Sequence, residues 1–200
     1  MSNISRRDFL KTAGVMTLAV AAAGVLAGCN TANVPAPNAG ESTVTTNSVS
    51  YTGLYSDKLT VESVGRFNVY NNRDQKVGQA SQTVLKVTYT KPDVSTKGTI
   101  QDVHVFSENS QVEVYSNMII NEKISDKTGV TSKDMVGGFD AVLNASATKT
   151  EKYIVLDMKK DSSYDIKTND LKIAVSYVDP KTGKVESVIL PLSVTASDLY

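Results

Sequence analysis

Among its 200 residues the chain has no tryptophan, one histidine and one cysteine. Each shortage removes a class of chemistry. One imidazole and one thiol cannot supply the nitrogen and sulfur ligand sets that hold zinc or copper. Without a second cysteine there is no intrachain disulfide, so stability rests on a packed core. Basic and acidic residues number 21 each and are interspersed. That leaves no concentrated cationic surface, and no nucleic-acid partner is expected. Phosphate loops and dinucleotide fingerprints are absent as well, so no cofactor is expected.

What is present begins at the N-terminus. Arg6 and Arg7 precede an apolar stretch from Thr12 to Ala27 that ends in small residues, the layout of a cleaved export signal. A membrane-spanning helix is the competing reading. At 1.5 Å rise per residue the stretch covers only about 24 Å, short of a hydrocarbon core of roughly 30 Å. Gly14, Thr17 and Gly24 dilute it further.

Ser5-Arg6-Arg7-Asp8-Phe9-Leu10-Lys11 resembles the twin-arginine signal of bacteria, matching at Arg6, Arg7, Phe9, Leu10 and Lys11. Leu26-Ala27-Gly28-Cys29 resembles the bacterial lipobox. Together these resemblances imply a signal peptide over 1–28, with the twin-arginine translocase and the lipoprotein-processing enzymes as partners during export. They also imply a diacylglyceryl group on Cys29, which becomes the mature N-terminus. Two acyl chains anchor stably where one does not, so the expected location is the extracytoplasmic face of the cell membrane. Arg6, Arg7, Lys11 and Asp8 all precede Cys29; from there on the chain keeps 18 basic and 20 acidic residues, a net charge of −2.

Residues 29–50 are rich in Asn, Thr, Ser, Ala and Pro and read as a flexible tether. Residues 51–200 read as one β domain. Gln82–Thr90 alternates Leu85, Val87 and Tyr89 against Lys86, Thr88 and Thr90, and Leu171–Tyr177 alternates in the same way. Tyr153–Met158 is nearly all apolar, as a central strand would be. Further strands are expected over Leu59–Val64, Phe67–Tyr70, Thr99–Phe106, Gln111–Tyr115 and Val185–Leu190. Asp179-Pro180-Lys181-Thr182-Gly183-Lys184 carries the turn chemistry that joins Leu171–Val178 to Val185–Leu190 as a hairpin. Between Asn117 and Val142, Met118, Ile119 and Ile120 suggest burial. A short helix is expected to start at Ser132 and end at Gly137-Gly138.

This spacing of short strands predicts an all-β, immunoglobulin-like antiparallel sandwich of about 7–9 strands. With the tether ahead of it and the late strand Glu151–Met158, the domain resembles the Ig-like domains of surface lipoproteins of Gram-positive bacteria. The Cys…Trp…Cys hallmark of antibody domains is missing.

Candidate catalytic groups are few. Asp102 lies two residues from His104 on the same strand face and could orient its ring, but a triad also needs a nucleophile in place. Ser146-Ala147-Thr148-Lys149 and Lys181-Thr182-Gly183 match two elements of penicillin-binding enzymes, without the helix or the middle element that the chemistry needs. Asp157, Asp161, Asp165 and Asp170 lack the spacing of a calcium loop, so no metal site is assigned. Nine tyrosines, Tyr115 among them, could furnish a binding face. The expected function is therefore non-catalytic: an anchored lipoprotein whose domain binds a protein or envelope partner. A small-ligand or ion-binding lipoprotein is the alternative, and an enzyme ranks third.

Overall fold

The computed structural model describes residues 41–45, 47–70, 76–94, 98–107, 112–160, 171–179, 182–194 and 196–198. Within them the chain forms ten strands: β1 (Glu41–Val44), β2 (Ser48–Thr52), β3 (Lys58–Tyr70), β4 (Lys76–Thr90), β5 (Ile100–Ser107), β6 (Val112–Asn117), β7 (Lys149–Lys160), β8 (Leu171–Val178), β9 (Val185–Leu192) and β10 (Ala196–Asp198). Two short helices, α1 (Glu122–Thr128) and α2 (Phe139–Leu143), fall between β6 and β7. Among the described residues no helix is long and apolar enough to cross a membrane.

One sheet runs β1-β2-β3-β4-β7-β6 and the other β5-β8-β9. Taking β3 to β9 as strands A to G, these are the A-B-E-D and C-F-G sheets of a constant-type immunoglobulin sandwich. β1 and β2 extend the first sheet as an antiparallel meander. β10 pairs in parallel with the far half of β3. The fold is thus the expected Ig-like all-β sandwich, with ten strands where about 7–9 were expected, because β1, β2 and β10 add to the larger sheet.

Period-two alternation builds the core. Leu85 and Val87 of β4 and Ile154 and Leu156 of β7 meet Ile173 and Val175 of β8 and Val103 and Val105 of β5 between the sheets. Their neighbours in sequence, Val84 and Val155, point the other way and form a second cluster with Phe67, Ile124, Val130 and Met135. The long excursion between β6 and β7 therefore covers part of the outer face of the larger sheet. β7 is buried on both faces there, which is why Tyr153–Met158 is apolar almost throughout.

Several expectations need correction. The stretch read as tether through Ser50 is partly domain: β1 and the first three residues of β2 lie inside it, and Val49 is buried, as is Tyr51 just beyond it. Tyr51 stacks on Tyr177 of β8, ring centroids 5.3 Å apart, so β2 helps to close the sandwich. Ser and Thr suit a pleated strand as well as they suit a linker, and only two large side chains distinguish this segment from coil. Leu59–Val64 and Phe67–Tyr70 are one strand, because a register shift at Gly65 is absorbed as a bulge without ending the pairing. The ring of Phe67 lies over Gly65, where a Cβ would meet it at 2.9 Å.

The helix expected from Ser132 is displaced. α1 starts earlier, where the Asn121 side chain accepts the Lys123 N–H, and ends at Gly129 in the left-handed conformation. Gly138 precedes α2 instead of ending a helix. The β8–β9 hairpin is as expected, pairing Leu171 with Leu192 through Val178 with Val185. In its turn, Gly183 at φ 67° lets its N–H reach the Asp179 carbonyl at 2.7 Å, and Thr182 donates to the Asp179 carboxylate at 2.9 Å.

One end of the sandwich is tied by a carboxylate that sequence patterning does not single out. Asp57, 0 % exposed, accepts from the Thr99 hydroxyl at 2.7 Å, the Tyr89 hydroxyl at 3.0 Å and the Ile100 N–H at 3.2 Å. It thereby joins the β2–β3 turn to the end of β4 and the start of β5. Gly53 and Gly98 flank it so closely that a Cβ at either would overlap this cluster.

Burial and then the neighbouring Asp57 carboxylate hold the Tyr89 phenol well above its ordinary value. Burial and the hydrogen bond to Glu186 do the same for Tyr177. In the unfolded chain both ionise near pH 10. Above that pH the unfolded state binds fewer protons than the folded one, so stability falls as pH rises. Urea midpoints are expected to hold from pH 8 to 9 and to drop beyond pH 10, and the drop is smaller when Tyr89 and Tyr177 are both phenylalanine.

Candidate functional site

β5 is an edge of the smaller sheet and β6 an edge of the larger one. The two face each other across an open side of the sandwich. Between them lies a cleft of about 370 Å³, closed at one end by Gly138, Phe139 and Asp140 at the start of α2. Its apolar lining is Val103, Val105, Val114, Phe139, Ile154 and Leu156, all of them buried residues of the core between the sheets. Asp102, His104, Tyr115, Ser116 and Asp140 complete the lining, and all five are exposed.

The structure thus brings His104 and Asp102 into a cleft with a second acid and two hydroxyls. Two of these groups bond to the domain's own backbone. Asp102 accepts the N–H of Val103 at 2.8 Å, and the Ser116 hydroxyl donates to the Gly137 carbonyl at 2.7 Å. The His104 ring lies nearly parallel to Phe106, with centroids 6.4 Å apart and 13° between planes. A nucleophile needs its proton directed at a base, and the Ser116 hydroxyl is directed at a carbonyl.

Exposed apolar side chains run on from the cleft past the end of β6. Tyr115, Met118 and Ile119 are 47, 51 and 72 % exposed. The sequence suggests burial for all of 118–120, yet only Ile120 packs inward, against the second cluster. The backbone here is pinned by side chains from below. Gln82 donates to the Ile119 carbonyl at 3.1 Å and accepts the Asn121 N–H at 2.9 Å, while Asn117 accepts the Ile119 N–H at 2.9 Å. Asp157 holds both amides in place, at 2.8 Å from Gln82 and 2.6 Å from Asn117. Asp157 therefore serves this network, while Asp161, Asp165 and Asp170 lie outside the described residues. Among the described residues, no three His, Cys, Asp or Glu side chains converge as a metal would require.

The tyrosines divide. Tyr51, Tyr89 and Tyr177 are core residues, and Tyr55 and Tyr115 are exposed. Ser146-Ala147-Thr148-Lys149 spans the entry to β7 with no helix, and so has no catalytic context. Arg6, Arg7, Phe9, Leu10 and Cys29 lie outside the described residues. Neither the cleft nor the pinned patch was legible from periodicity, because both arise where strands distant in sequence become facing edges. Comparison with protein-family models, with curated proteins and with solved structures gives no match.

Proposed function

We propose that the protein is a membrane-anchored extracytoplasmic lipoprotein whose Ig-like domain binds a protein or cell-envelope partner without catalysing a reaction on it. The observation that carries this reading is the exposure of Tyr115, Met118 and Ile119 at the end of β6, next to a network of five hydrogen bonds that fixes the backbone of Ile119. Holding large apolar side chains in water is unfavourable by about 25 cal/mol per Å². Fixing them in one place ahead of contact reduces the ordering cost that a partner would otherwise meet. The lipid on Cys29 confines this surface to the membrane, where its partner is sought.

Crosslinking on intact cells followed by pull-down tests the proposal. Full-length protein is expected to enrich a partner over a leader-only control, and Ile119→Asp is expected to lose most of that enrichment. Recovery equal to the control would contradict a binding role. The cleft also favours the small-ligand reading, because its volume is within the range of small-molecule sites. A ligand taken up there would raise the thermal midpoint, and Phe139→Ala would reduce the rise.

A further inference from the structure

We infer that the domain stands on the membrane on the end tied by Asp57, with the side chains of Leu54, Tyr55, Val94 and Val185 entering the lipid headgroup layer. This rests on the proposed lipid at Cys29 and specifies how the anchored domain is oriented. Three observations converge on it.

The first is where the chain enters. Glu41 opens β1 opposite Thr52, and the pairing continues through Lys58 and Thr90 to Lys149. The segment from Cys29 therefore joins the domain at the Asp57 end. Twelve residues separate Cys29 from Glu41, a reach of at most about 43 Å. β3, 13 residues long, spans about 43 Å by itself. To lay the opposite end on the bilayer, the connecting segment would have to run back along the sandwich at full extension.

The second is what this end displays. The β2–β3 turn, the β4–β5 connection and the β8–β9 turn meet there, the last two joined where the Val178 N–H donates to the Thr99 carbonyl at 3.0 Å. Each carries large apolar side chains in water: Leu54 and Tyr55 are 42 and 53 % exposed, Val94 63 % and Val185 56 %. These are four of the nine exposed large apolar side chains among the described residues, so this end displays more of them than the β6 patch does. Tyrosine suits the headgroup layer, its ring against acyl chains and its hydroxyl in water. Lys58, Lys149 and Lys184 are exposed at the same end, and their stems can lie along lipid while the ammonium groups meet phosphates. Glu41 and Asp93 are exposed there as well, so the apolar tips carry the contact and charge adds little.

The third is that the display is set before contact. The Gly53 N–H donates to the Asp57 carbonyl at 2.7 Å and the Ser56 N–H to the Gly53 carbonyl at 3.0 Å, closing the turn that carries Leu54 and Tyr55. Ser56 holds φ at 62°, a left-handed conformation uncommon for a residue with a Cβ. The buried Asp57 carboxylate ties this turn to Thr99 and Ile100. A protein partner for these tips would have to fit between them and the bilayer. The tips are too few to anchor the domain; they orient one that acyl chains hold. Tyr115 pairs with Asp157, eight residues along β7 from Lys149, so the β6 patch stands about 26 Å above this end and opens sideways.

Because the chain has no tryptophan, Tyr55→Trp creates a single reporter. Full-length protein purified from membranes is reconstituted into vesicles of phosphatidylcholine and phosphatidylglycerol, and flotation reports anchoring. The Tyr55→Trp emission is expected to shift to the blue and to be quenched by lipid brominated on its acyl chains, with acrylamide quenching reduced about threefold. Tyr115→Trp should keep its emission and its acrylamide quenching. Adding Leu54→Asp and Val94→Asp to Tyr55→Trp should abolish the bromolipid quenching while flotation and the urea midpoint hold.

A Tyr55→Trp emission unmoved by vesicles, equal bromolipid quenching of both reporters, or quenching unchanged by the two aspartates would overturn the inference. So would loss of the crosslinked partner with Leu54→Asp and Val94→Asp in the absence of bromolipid quenching, which would make the tips a protein contact. If the protein floats and Tyr55→Trp is not quenched, the lipid anchor stands and this inference falls. If it does not float, both fall.

Discussion

Asp57→Ala is expected to lower the free energy of unfolding by about 3 kcal/mol, and the thermal midpoint by about 6–12 °C. The carboxylate is the common acceptor for the Tyr89 hydroxyl, the Thr99 hydroxyl and the Ile100 N–H, all within the buried end of the sandwich. Removing it strands three donors, each at a cost of about 1–3 kcal/mol. Release of the charge from a buried site offsets part of that sum. Asp57→Asn keeps an acceptor for some of these donors and should lose less, about 1–2 kcal/mol. Asp140→Ala, at the exposed rim of the cleft, should stay within about 0.5 kcal/mol of wild type. Urea denaturation of the three variants checks the ranking. An Asp57→Ala midpoint equal to that of Asp140→Ala would show that the hub is not what ties β4 and β5 to the β2–β3 turn.

That hub illustrates where sequence reading stops. The strands with clean alternation, β4 and β8, and the hairpin with explicit turn residues were legible because each signal is local. Their number and spacing pointed to an Ig-like sandwich, while the strand order was not legible, because it is set by pairings between segments distant in sequence. Asp57 was not legible, since nothing nearby announces that its partners are Tyr89 and residues of the β5 entry. β1 and β2 were missed because Ser-Thr-rich strands and Ser-Thr-rich linkers share a composition, and only the Tyr51–Tyr177 stack separates them. The exposure of Met118 and Ile119 depends on Gln82, about forty residues earlier, which fixes the backbone so that those side chains face water. His104 and Asp102 were placed on one strand face correctly. The cleft they border depends on β6 and α2, which belong to the other side of the sandwich.

Cys29→Ala is expected to move the protein from the membrane to the soluble fraction almost completely. Each buried methylene contributes about 0.8 kcal/mol, so under the proposed lipid anchor two acyl chains would account for the membrane attachment of a domain with no membrane-crossing helix among the described residues. Arg6→Lys with Arg7→Lys is expected to act earlier and differently: export stops, and uncleaved precursor accumulates in the cytoplasm. The two variants separate the address from the anchor. Protein carrying Cys29→Ala that stays firmly membrane-bound after carbonate extraction would remove lipidation from the account.

The central claim is that the Ig-like domain works while tethered by lipid at the outer face of the membrane. Mass spectrometry of the N-terminal peptide of the mature protein, purified from membranes, tests it most directly. The account predicts that residues 1–28 are gone and that the peptide begins at a Cys29 bearing a diacylglyceryl group. A peptide that retains Met1, or that begins elsewhere with Cys29 unmodified, would contradict it.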